Sequence, residues 1–164
     1  MIKILFICHG NICRSPMAEF ILKDMVQKQD LADQFYISSA ATSTEEIWNG
    51  SGNPVYPPAK QELKKHGLSC GDKRAILLKR EDYDKYDYLI GMDSANIRNM
   101  KRILGGDPQG KIYKLLSFAG SDRDVADPWY TGHFDVTYTD VESGCKGLLA
   151  FLMKQQASQS PETI

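Results

Sequence analysis

A short stretch near the N-terminus constrains the fold of this chain more than any other. Residues 3–7 are rich in branched and aromatic side chains and are too few for a helix, so they predict a buried strand. Gly10 and Asn11 then indicate a turn. Ser15 before Pro16 is typical of a helix start, because serine can cap free N–H groups and proline at the first helical position lacks an N–H that would have no partner. The stretch therefore predicts a strand, a tight loop and a helix.

The predicted loop is suited to binding phosphate. Loop N–H groups and the positive end of the helix dipole converge on one concave space, where an anion binds. Cys8 begins the loop and Arg14 ends it, so a thiol and a guanidinium face the same oxyanion. We expect the positive surroundings to hold Cys8 as a thiolate, which is a nucleophile when it lies beneath a phosphate ester. The predicted phosphate-binding loop consists of His9, Gly10, Asn11, Ile12, Cys13, Arg14 and Ser15.

The loop and a second motif far along the chain carry a family resemblance. Residues 8–19 contain a Cys-x5-Arg-Ser core with an inner Gly-Asn pair, and residues 127–130 read Asp-Pro-Trp-Tyr. With the loop at the N-terminus and a length of 164 residues, these motifs resemble the low-molecular-weight protein tyrosine phosphatases. The resemblance implies hydrolysis of phosphotyrosine, and of small aryl phosphates, through a phosphocysteine intermediate. Cys8 is then the nucleophile and Arg14 the phosphate clamp.

The composition is ordinary for a globular protein of one domain. Hydrophobic residues make up 42% of the chain and charged residues 25%, which is enough for one sizeable core. The net charge of −1 argues against broad nucleic-acid binding, which needs a basic surface. The apolar run at the N-terminus is short and interrupted by Lys3, so it predicts neither a secretory signal nor a membrane span. We therefore expect a cytoplasmic protein that binds neither nucleic acid nor membrane.

The cysteines are too few and too scattered for a disulfide scaffold. They are Cys8, Cys13, Cys70 and Cys145. No pair has the Cys-x2-Cys spacing with nearby histidines that zinc requires, so the sequence predicts no metal and no cofactor. A reversible disulfide between Cys8 and Cys13 is one hypothesis, since it would protect the nucleophile from over-oxidation. The alternative is that Cys13 is a small buried filler.

The rest of the chain alternates between predicted strands and helices. After the first helix, strands are predicted at 35–40, 86–92 and 111–116, and helices at 57–66, 79–83, 94–104 and around 141–152. This alternation predicts a flavodoxin-like α/β fold, with a four-stranded parallel sheet in the order 2-1-3-4 and helices on both faces. We expect a single phosphatase domain over residues 1–157 and a frayed C-terminal tail over 158–164.

Asp127 is the candidate general acid. In an open parallel sheet, ligands bind outside the carboxyl ends of the strands. The first strand ends near Cys8 and the fourth runs into the loop 117–132, so both groups are expected at one edge. A protonated carboxyl there would speed the departure of a phenolate by roughly 10² to 10⁴ and then take a proton from the attacking water. The alternative is a simple turn residue ahead of Pro128, but the resemblance favours the catalytic role.

Aromatic residues are the candidate walls of the substrate pocket. Trp48 lies in the long loop 41–57, where it either forms a wall or packs back on the core, and the resemblance favours the wall. Trp129 and Tyr130 are expected on the opposite side of the cleft. Such a slot would admit phosphotyrosine and hold the shorter phosphoserine too far from Cys8.

Polar loop residues are expected to support the nucleophile. The Ser15 hydroxyl can bond the thiolate as well as cap the helix, and Asn11 tolerates left-handed backbone angles. The resemblance implies a polar network that links these two residues to a histidine shortly after the second helix. Residues 69–74 contain no histidine, so the sequence leaves the partner of Asn11 open. His9 is interpreted as a rim residue that tunes the nucleophile or the choice of substrate.

Other functions compete with this one. A thioredoxin-coupled arsenate reductase shares the fold and loop, but it needs two further cysteines close together in the chain. A protein arginine phosphatase of the same fold carries threonine where this chain has Ile12. The isoleucine favours phosphotyrosine over phosphoarginine as the substrate. A phosphate-binding module without activity would need neither a thiol nor an acid. The expected partners are tyrosine-phosphorylated proteins, with inorganic phosphate as product, and the expected state is a monomer.

Overall fold

Four parallel strands form the central sheet of the computed structural model, which describes residues 1–159. In chain order the strands are β1 (Ile2–Cys8), β2 (Phe35–Ala41), β3 (Ile47–Trp48), β4 (Ser51–Gly52), β5 (Tyr88–Gly91) and β6 (Ile112–Lys114). The sheet has the order β2-β1-β5-β6, while β3 and β4 pair separately as a small antiparallel hairpin. The predicted fold class is confirmed. The strand order equals the predicted 2-1-3-4 once the two hairpin strands, which were not predicted, are set aside.

Four helices lie between strands along the chain, and two more follow the last strand. They are α1 (Arg14–Lys28), α2 (Pro57–Lys65), α3 (Asp82–Lys85), α4 (Ser94–Leu104), α5 (Pro128–Thr131) and α6 (Phe134–Gln159), with short 3-10 helices at Ala32–Gln34 and Leu115–Ala119. The fourth strand of the sheet ends earlier than predicted because the chain turns into a 3-10 helix at Leu115. Helix α6 includes the first two positions of the predicted tail 158–164, and residues 160–164 lie outside the described residues.

Strand β1 lies at the centre of the sheet and is buried on both faces. Ile4 and Phe6 join the apolar cluster that contains the buried side chains of α1 and α6. Leu5 and Ile7 alternate with them and pack in the cluster that contains α4. Burial on both sides explains why this strand is a continuous apolar run rather than an alternating one. The carboxyl end of β1, where Cys8 lies, is therefore held by the most completely packed part of the molecule.

Helix α6 approaches the 3-10 helix at Leu115–Ala119 through two glycines. A Cβ atom at Gly147 would overlap the carbonyl oxygen of Phe118, and one at Gly144 would lie 2.5 Å from Leu115 Cγ. This close approach holds the segment that leads from β6 towards Asp127. Along residues 1–159, no helix reaches the combination of length and hydrophobicity that a bilayer span needs.

Replacing Gly147 by alanine tests this close approach. We expect Gly147→Ala to lower the free energy of unfolding by about 1 to 3 kcal/mol, because the new methyl group overlaps backbone that cannot move aside. The loss should appear although alanine favours a helix by about 1 kcal/mol over glycine. The measurement is equilibrium unfolding in urea.

The matched control for this substitution is Ser143→Ala, at an exposed position of the same helix. Its free energy of unfolding should change by less than about 0.5 kcal/mol. If Gly147→Ala were as stable as Ser143→Ala, the packing of α6 against the 3-10 helix would not require glycine at position 147.

Candidate active site

The loop between β1 and α1 wraps around the sulfur of Cys8. The backbone N–H groups of Asn11 and Ser15 donate to Cys8 Sγ over 3.3 and 3.4 Å, and the Ser15 hydroxyl oxygen lies 3.0 Å from it. Asn11 has a φ of 58°, in the left-handed region that turns successive N–H groups inward. Cys8 is buried except where it lines a pocket at the surface. Three polar groups of the loop thus converge on one sulfur.

The structure corrects one expectation about Ser15. The prediction that Ser15 caps α1 is wrong, because the helix begins at Arg14 and the cap position is occupied by Cys13 without a side-chain cap bond. The Ser15 hydroxyl instead lies between Cys8 Sγ and the Asn11 side-chain amide, which donates to it over 2.8 Å.

Arg14 is fixed in the wall of the pocket. Its side chain is only 2% exposed, and Nη1 donates to Asp93 Oδ2 over 2.6 Å and to the Val125 carbonyl oxygen over 2.9 Å. Burial opposes its charge, but Cys8 and the Asp93 carboxylate raise the pKa of Arg14 above its usual value. Both Nη1 hydrogens are bound, and Nη2 donates one hydrogen to Asp127 Oδ2 over 3.5 Å, so Nε and the other Nη2 hydrogen are left to grip phosphate oxygens. The pocket thus holds a permanent positive charge with a defined orientation.

Asp127 lines the same pocket as Cys8. Its Oδ1 accepts from the backbone N–H of Trp129 over 3.1 Å, so it caps α5, and its Oδ2 lies 3.5 Å from Arg14 Nη2. A backbone hydrogen bond of 2.9 Å from Val125 to the Met92 carbonyl at the end of β5 anchors this loop to the sheet. Asp127 can therefore be both a turn residue and a general acid, because Oδ1 caps α5 and Oδ2 faces the pocket.

Trp129 and Tyr130 form an aromatic side of the pocket. Trp129 packs against Tyr56, with ring centroids 4.8 Å apart, and is thereby held in place. Tyr130 is 84% exposed and projects at the mouth. This side matches the predicted wall.

Trp48 does not line this pocket. It is 79% exposed and lies in β3 of the hairpin. Asn49 and Gly50 have φ values of 50° and 76°, which make the tight two-residue turn that closes the hairpin directly after Trp48. An Asn-Gly pair is a strong hairpin signal in sequence. The Asn49-Gly50 pair was therefore the sequence signal that could have predicted the hairpin.

Two acidic residues of the same loop line the pocket instead. Glu45 and Glu46 are both part of its lining, and neither was predicted. Glu45 Oε2 lies 2.9 Å from His9 Nε2, and Glu46 Oε2 accepts from the Asn53 side-chain amide over 2.7 Å. His9 is placed at the rim, as predicted. Nothing in the local sequence pattern distinguishes these glutamates from ordinary surface residues.

Cys13 lies beside the nucleophile but is chemically different from it. Burial, together with the negative charges of Cys8 and Asp127, raises the pKa of Cys13 well above its usual value. It is therefore a thiol at neutral pH. Its disulfide with Cys8 stays a prediction.

Among residues 1–159, no group of three or more His, Cys, Asp or Glu side chains is arranged to hold a metal ion.

The structure identifies the partners of Asn11 that the sequence left open. Its side-chain Nδ2 donates to Ser15 Oγ over 2.8 Å and to Ser39 Oγ on β2 over 2.9 Å. Its Oδ1 accepts from the backbone N–H of Ile76 over 3.1 Å. Sequence patterns alone could not single out Ser39, because it becomes a neighbour only when β2 pairs with β1.

Fold and site together define an α/β domain in which backbone N–H groups surround a cysteine sulfur and an arginine lines the same pocket. The family model for the low molecular weight phosphotyrosine protein phosphatases matches residues 3–158. The chain therefore belongs to the low-molecular-weight protein tyrosine phosphatase family.

Similar proteins agree over nearly the whole chain. The low-molecular-weight protein-tyrosine-phosphatase YfkJ of Bacillus subtilis is 37% identical over 158 residues, which cover 95% of this chain and 99% of that protein. Its crystal structure gives a TM-score of 0.89 at 36% identity, over 94% of this chain and 96% of that one. The crystal structure of the phosphatase SP-PTP of Streptococcus pyogenes gives a TM-score of 0.83 at 37% identity, over 97% of this chain and 99% of that one. The crystal structure of the Drosophila arginine phosphatase DARP gives a TM-score of 0.80 at 29% identity, over 98% of this chain and 100% of that one.

Asp93 has two separable roles, and two substitutions distinguish them. Its Oδ1 accepts from the Asn96 N–H at the start of α4, while its Oδ2 binds Arg14. Asp93→Asn keeps an oxygen for the helix cap but turns an NH2 group towards Arg14 Nη1, which then loses the acceptor that orients it, so we expect about 10-fold weaker binding of inorganic phosphate and a loss of stability from the buried charge left without its partner. Asp93→Ala should lose the same affinity and about 1 kcal/mol more stability than Asp93→Asn, because the helix cap is lost too. Calorimetric titration with phosphate and thermal unfolding measure the two effects.

An Asp93→Asn protein with unchanged phosphate affinity would show that the Val125 carbonyl orients Arg14 without help from the carboxylate.

Proposed function

We propose that this protein hydrolyses phosphotyrosine in proteins, and small aryl phosphates, through a phosphocysteine intermediate. The observation that carries the proposal is that Asp127 lines one pocket with Cys8 and Arg14 although it lies 113 residues beyond Arg14 in the chain. A nucleophile, a fixed positive charge and a carboxyl group are the three components that transfer of a phosphoryl group from an aryl ester requires.

In the first step the Cys8 thiolate attacks phosphorus. A sulfur–phosphorus bond forms while the bond from phosphorus to the phenolic oxygen breaks. The loop N–H groups and the Nε and Nη2 groups of Arg14 hold the equatorial oxygens. Asp127 donates a proton to the leaving oxygen, whose conjugate acid has a pKa of about 10.

In the second step water replaces the cysteine. Asp127, now ionised, takes a proton from the attacking water, and the sulfur–phosphorus bond breaks to release inorganic phosphate. Cys8 returns to the thiolate, which the Asn11 and Ser15 N–H groups stabilise. One carboxyl group thus serves both half-reactions.

The shape of the site supports an aromatic substrate. The side formed by Trp129 and Tyr130 offers flat surfaces to a phenyl ring, and the sulfur lies at the base of the pocket. Arginine phosphate is the competing substrate, because the relative DARP is named an arginine phosphatase. Ile12 also lines the pocket and brings an apolar side chain close to the position of the ester. This favours a phenyl ring over a charged guanidinium.

The other cysteines give no support to an arsenate reductase. Cys145 is fully buried on α6, where its thiol donates to the Ala18 carbonyl oxygen over 3.8 Å and burial raises its pKa. Cys70 is also buried and lies outside the pocket. A relay of disulfides needs thiols that can reach the nucleophile and ionise.

Several parts of the proposal rest on sequence alone. We infer tyrosine-phosphorylated proteins as substrates, a phosphatase domain over residues 1–157, a monomeric state and a cytoplasmic location.

Cys8→Ser tests the covalent mechanism. We expect it to abolish hydrolysis of an aryl phosphate and of a phosphotyrosine peptide, because a serine hydroxyl is not ionised at neutral pH. Cys70→Ala is the matched control at a buried cysteine outside the pocket and should retain activity.

Peptides that carry phosphoserine or phosphoarginine, assayed for phosphate release, measure the choice of substrate.

Activity that survives Cys8→Ser would exclude the phosphocysteine intermediate. Faster release of phosphate from phosphoarginine than from phosphotyrosine would instead assign the protein to the arginine phosphatases.

Asp127→Asn tests the general acid. Asparagine still caps α5 but cannot donate the proton, so we expect hydrolysis of phenyl phosphate to fall by about 10² or more. Hydrolysis of a nitrophenyl ester should fall much less, because its leaving group needs no proton. Steady-state rates for both esters measure the difference, and an equal fall for both would remove the acid role from Asp127.

A further inference from the structure

The carboxyl group of Asp127 is carried by a segment without regular secondary structure. This acid loop (residues 121–127) leads from the 3-10 helix at Leu115–Ala119 to α5. In a helix or a sheet, repeated backbone hydrogen bonds hold each residue in place, and the acid loop has no such repeat. Val125 attaches it to the sheet, since its N–H donates to the Met92 carbonyl oxygen over 2.9 Å. The orientation of the loop around this point therefore depends on side-chain contacts.

Lys114, in the last position of β6, is bound to the acid loop twice. Its Nζ donates to the Asp122 carbonyl oxygen over 2.8 Å and to Asp124 Oδ1 over 2.9 Å. Its third bond goes to the Ser94 hydroxyl oxygen over 3.0 Å. An ammonium group has three protons to donate, so every proton of Lys114 has an acceptor. The lysine thus joins the end of β6 and the start of α4 to the acid loop.

Ser94 adds a second connection between α4 and the acid loop. Its backbone N–H and its hydroxyl donate to Asp124 Oδ1 over 3.1 and 3.2 Å. Ser94 is the first residue of α4, so the carboxylate also lies near the positive end of that helix. Burial raises the pKa of Asp124, but the bonds from Lys114 and Ser94 outweigh it and hold the pKa below its usual value. Asp124 is therefore a charged acceptor at neutral pH.

This cluster differs from an ordinary ion pair at the surface. Exposed pairs contribute little, because water screens them and long side chains lose freedom when they pair. The side chain of Lys114 is only 20% exposed, and its three bonds specify one geometry. On the other side of the acid loop, Arg123 donates to both carboxyl oxygens of Asp140 on α6 over 2.9 and 2.7 Å. The loop is thus held between α4 and α6.

The anchored part of the acid loop lies next to two groups of the active site. Val125 directly follows Asp124, and its carbonyl oxygen accepts from Arg14 Nη1. Asp127 lies two residues further along the chain. A displacement of Asp124 is therefore passed on over three residues to the carboxyl group in the pocket. Misplacement of a reacting group by about 1 Å can slow a reaction by about 10²-fold, so the position of this loop matters for the rate.

We infer that Lys114 is a positioning residue for the general acid, which fixes the acid loop through Asp124 and Ser94 so that the Asp127 carboxyl stays at the pocket. Lys114 is not part of the pocket lining, so it acts through the loop and does not touch the substrate. The inference rests on the proposed function of Asp127 as the acid.

Lys114→Met tests the inference through the leaving group. Methionine keeps a long side chain but has none of the three donors. We expect kcat/KM for phenyl phosphate to fall about 10-fold and kcat/KM for nitrophenyl phosphate by less than about 2-fold, because nitrophenolate leaves without a proton. Asp124→Asn should show the same selective fall. The double variant should fall no further than either single variant, since both substitutions break one connection.

Hydrogen exchange measures the anchoring of the loop without any turnover. We expect the Val125 N–H to exchange about 10-fold faster in Lys114→Met and in Asp124→Asn, as followed by NMR. The reference is the Leu78 N–H, which donates to the carbonyl oxygen of Ala41 over 2.8 Å at the opposite edge of the sheet. Its exchange should be unchanged in both variants.

Lys146→Met is the matched control, because it removes a lysine that is paired with Glu142 along α6. Its kcat/KM for both esters and its exchange at Val125 should match those of the unsubstituted protein.

An equal fall of kcat/KM for both esters in Lys114→Met, or unchanged exchange at Val125, would overturn the inference. Faster exchange at both Val125 and Leu78 would also overturn it, because Lys114 would then support the fold as a whole. If Asp127→Asn itself failed to discriminate between the esters, the proposed acid would be wrong. Faster exchange confined to Val125 would still identify Lys114 as the anchor of the loop, so the two failures are distinguishable.

Discussion

The buried sulfur of Cys8 is surrounded by hydrogen-bond donors, and much of the structure serves to supply them. Cys8 ends the most deeply packed strand, and the chain must then reverse within a few residues to turn its N–H groups inward. The left-handed backbone of Asn11 makes that reversal possible. Helix α1 follows at once, so the N–H of Ser15 and the positive end of the helix point at the same sulfur.

The positive charge of the site depends on a different part of the sheet. Arg14 leaves the first turn of α1 and reaches Asp93, which follows β5, and the carbonyl oxygen of Val125. These partners are attached to the neighbouring strand and to the loop beyond β6. A change in how β5 packs against β1 would therefore move the guanidinium relative to the sulfur of Cys8. The sheet order thus helps to fix the distance between these two groups.

Behind the loop, ionic groups are buried where apolar side chains would be easier to accommodate. Glu19 and Lys73 incur a desolvation cost that packing alone does not explain. Their hydrogen bonds to Ser39 link them, through the Asn11 amide and the Ser15 hydroxyl, to the sulfur of Cys8. Burial also makes such a chain effective, because hydrogen bonds are stronger at low dielectric.

The sequence by itself determined the strand, loop and helix that carry Cys8 and Arg14, because these residues are close in the chain and local geometry is enough to bring them together. It also determined the parallel sheet, whose strands and helices alternate regularly. The positions of Trp48, Ser39 and Lys73 relative to the site were decided only by the tertiary structure. Each depends on how a distant loop or strand packs beside β1, and side chains that meet only through such packing leave no periodic pattern in the sequence.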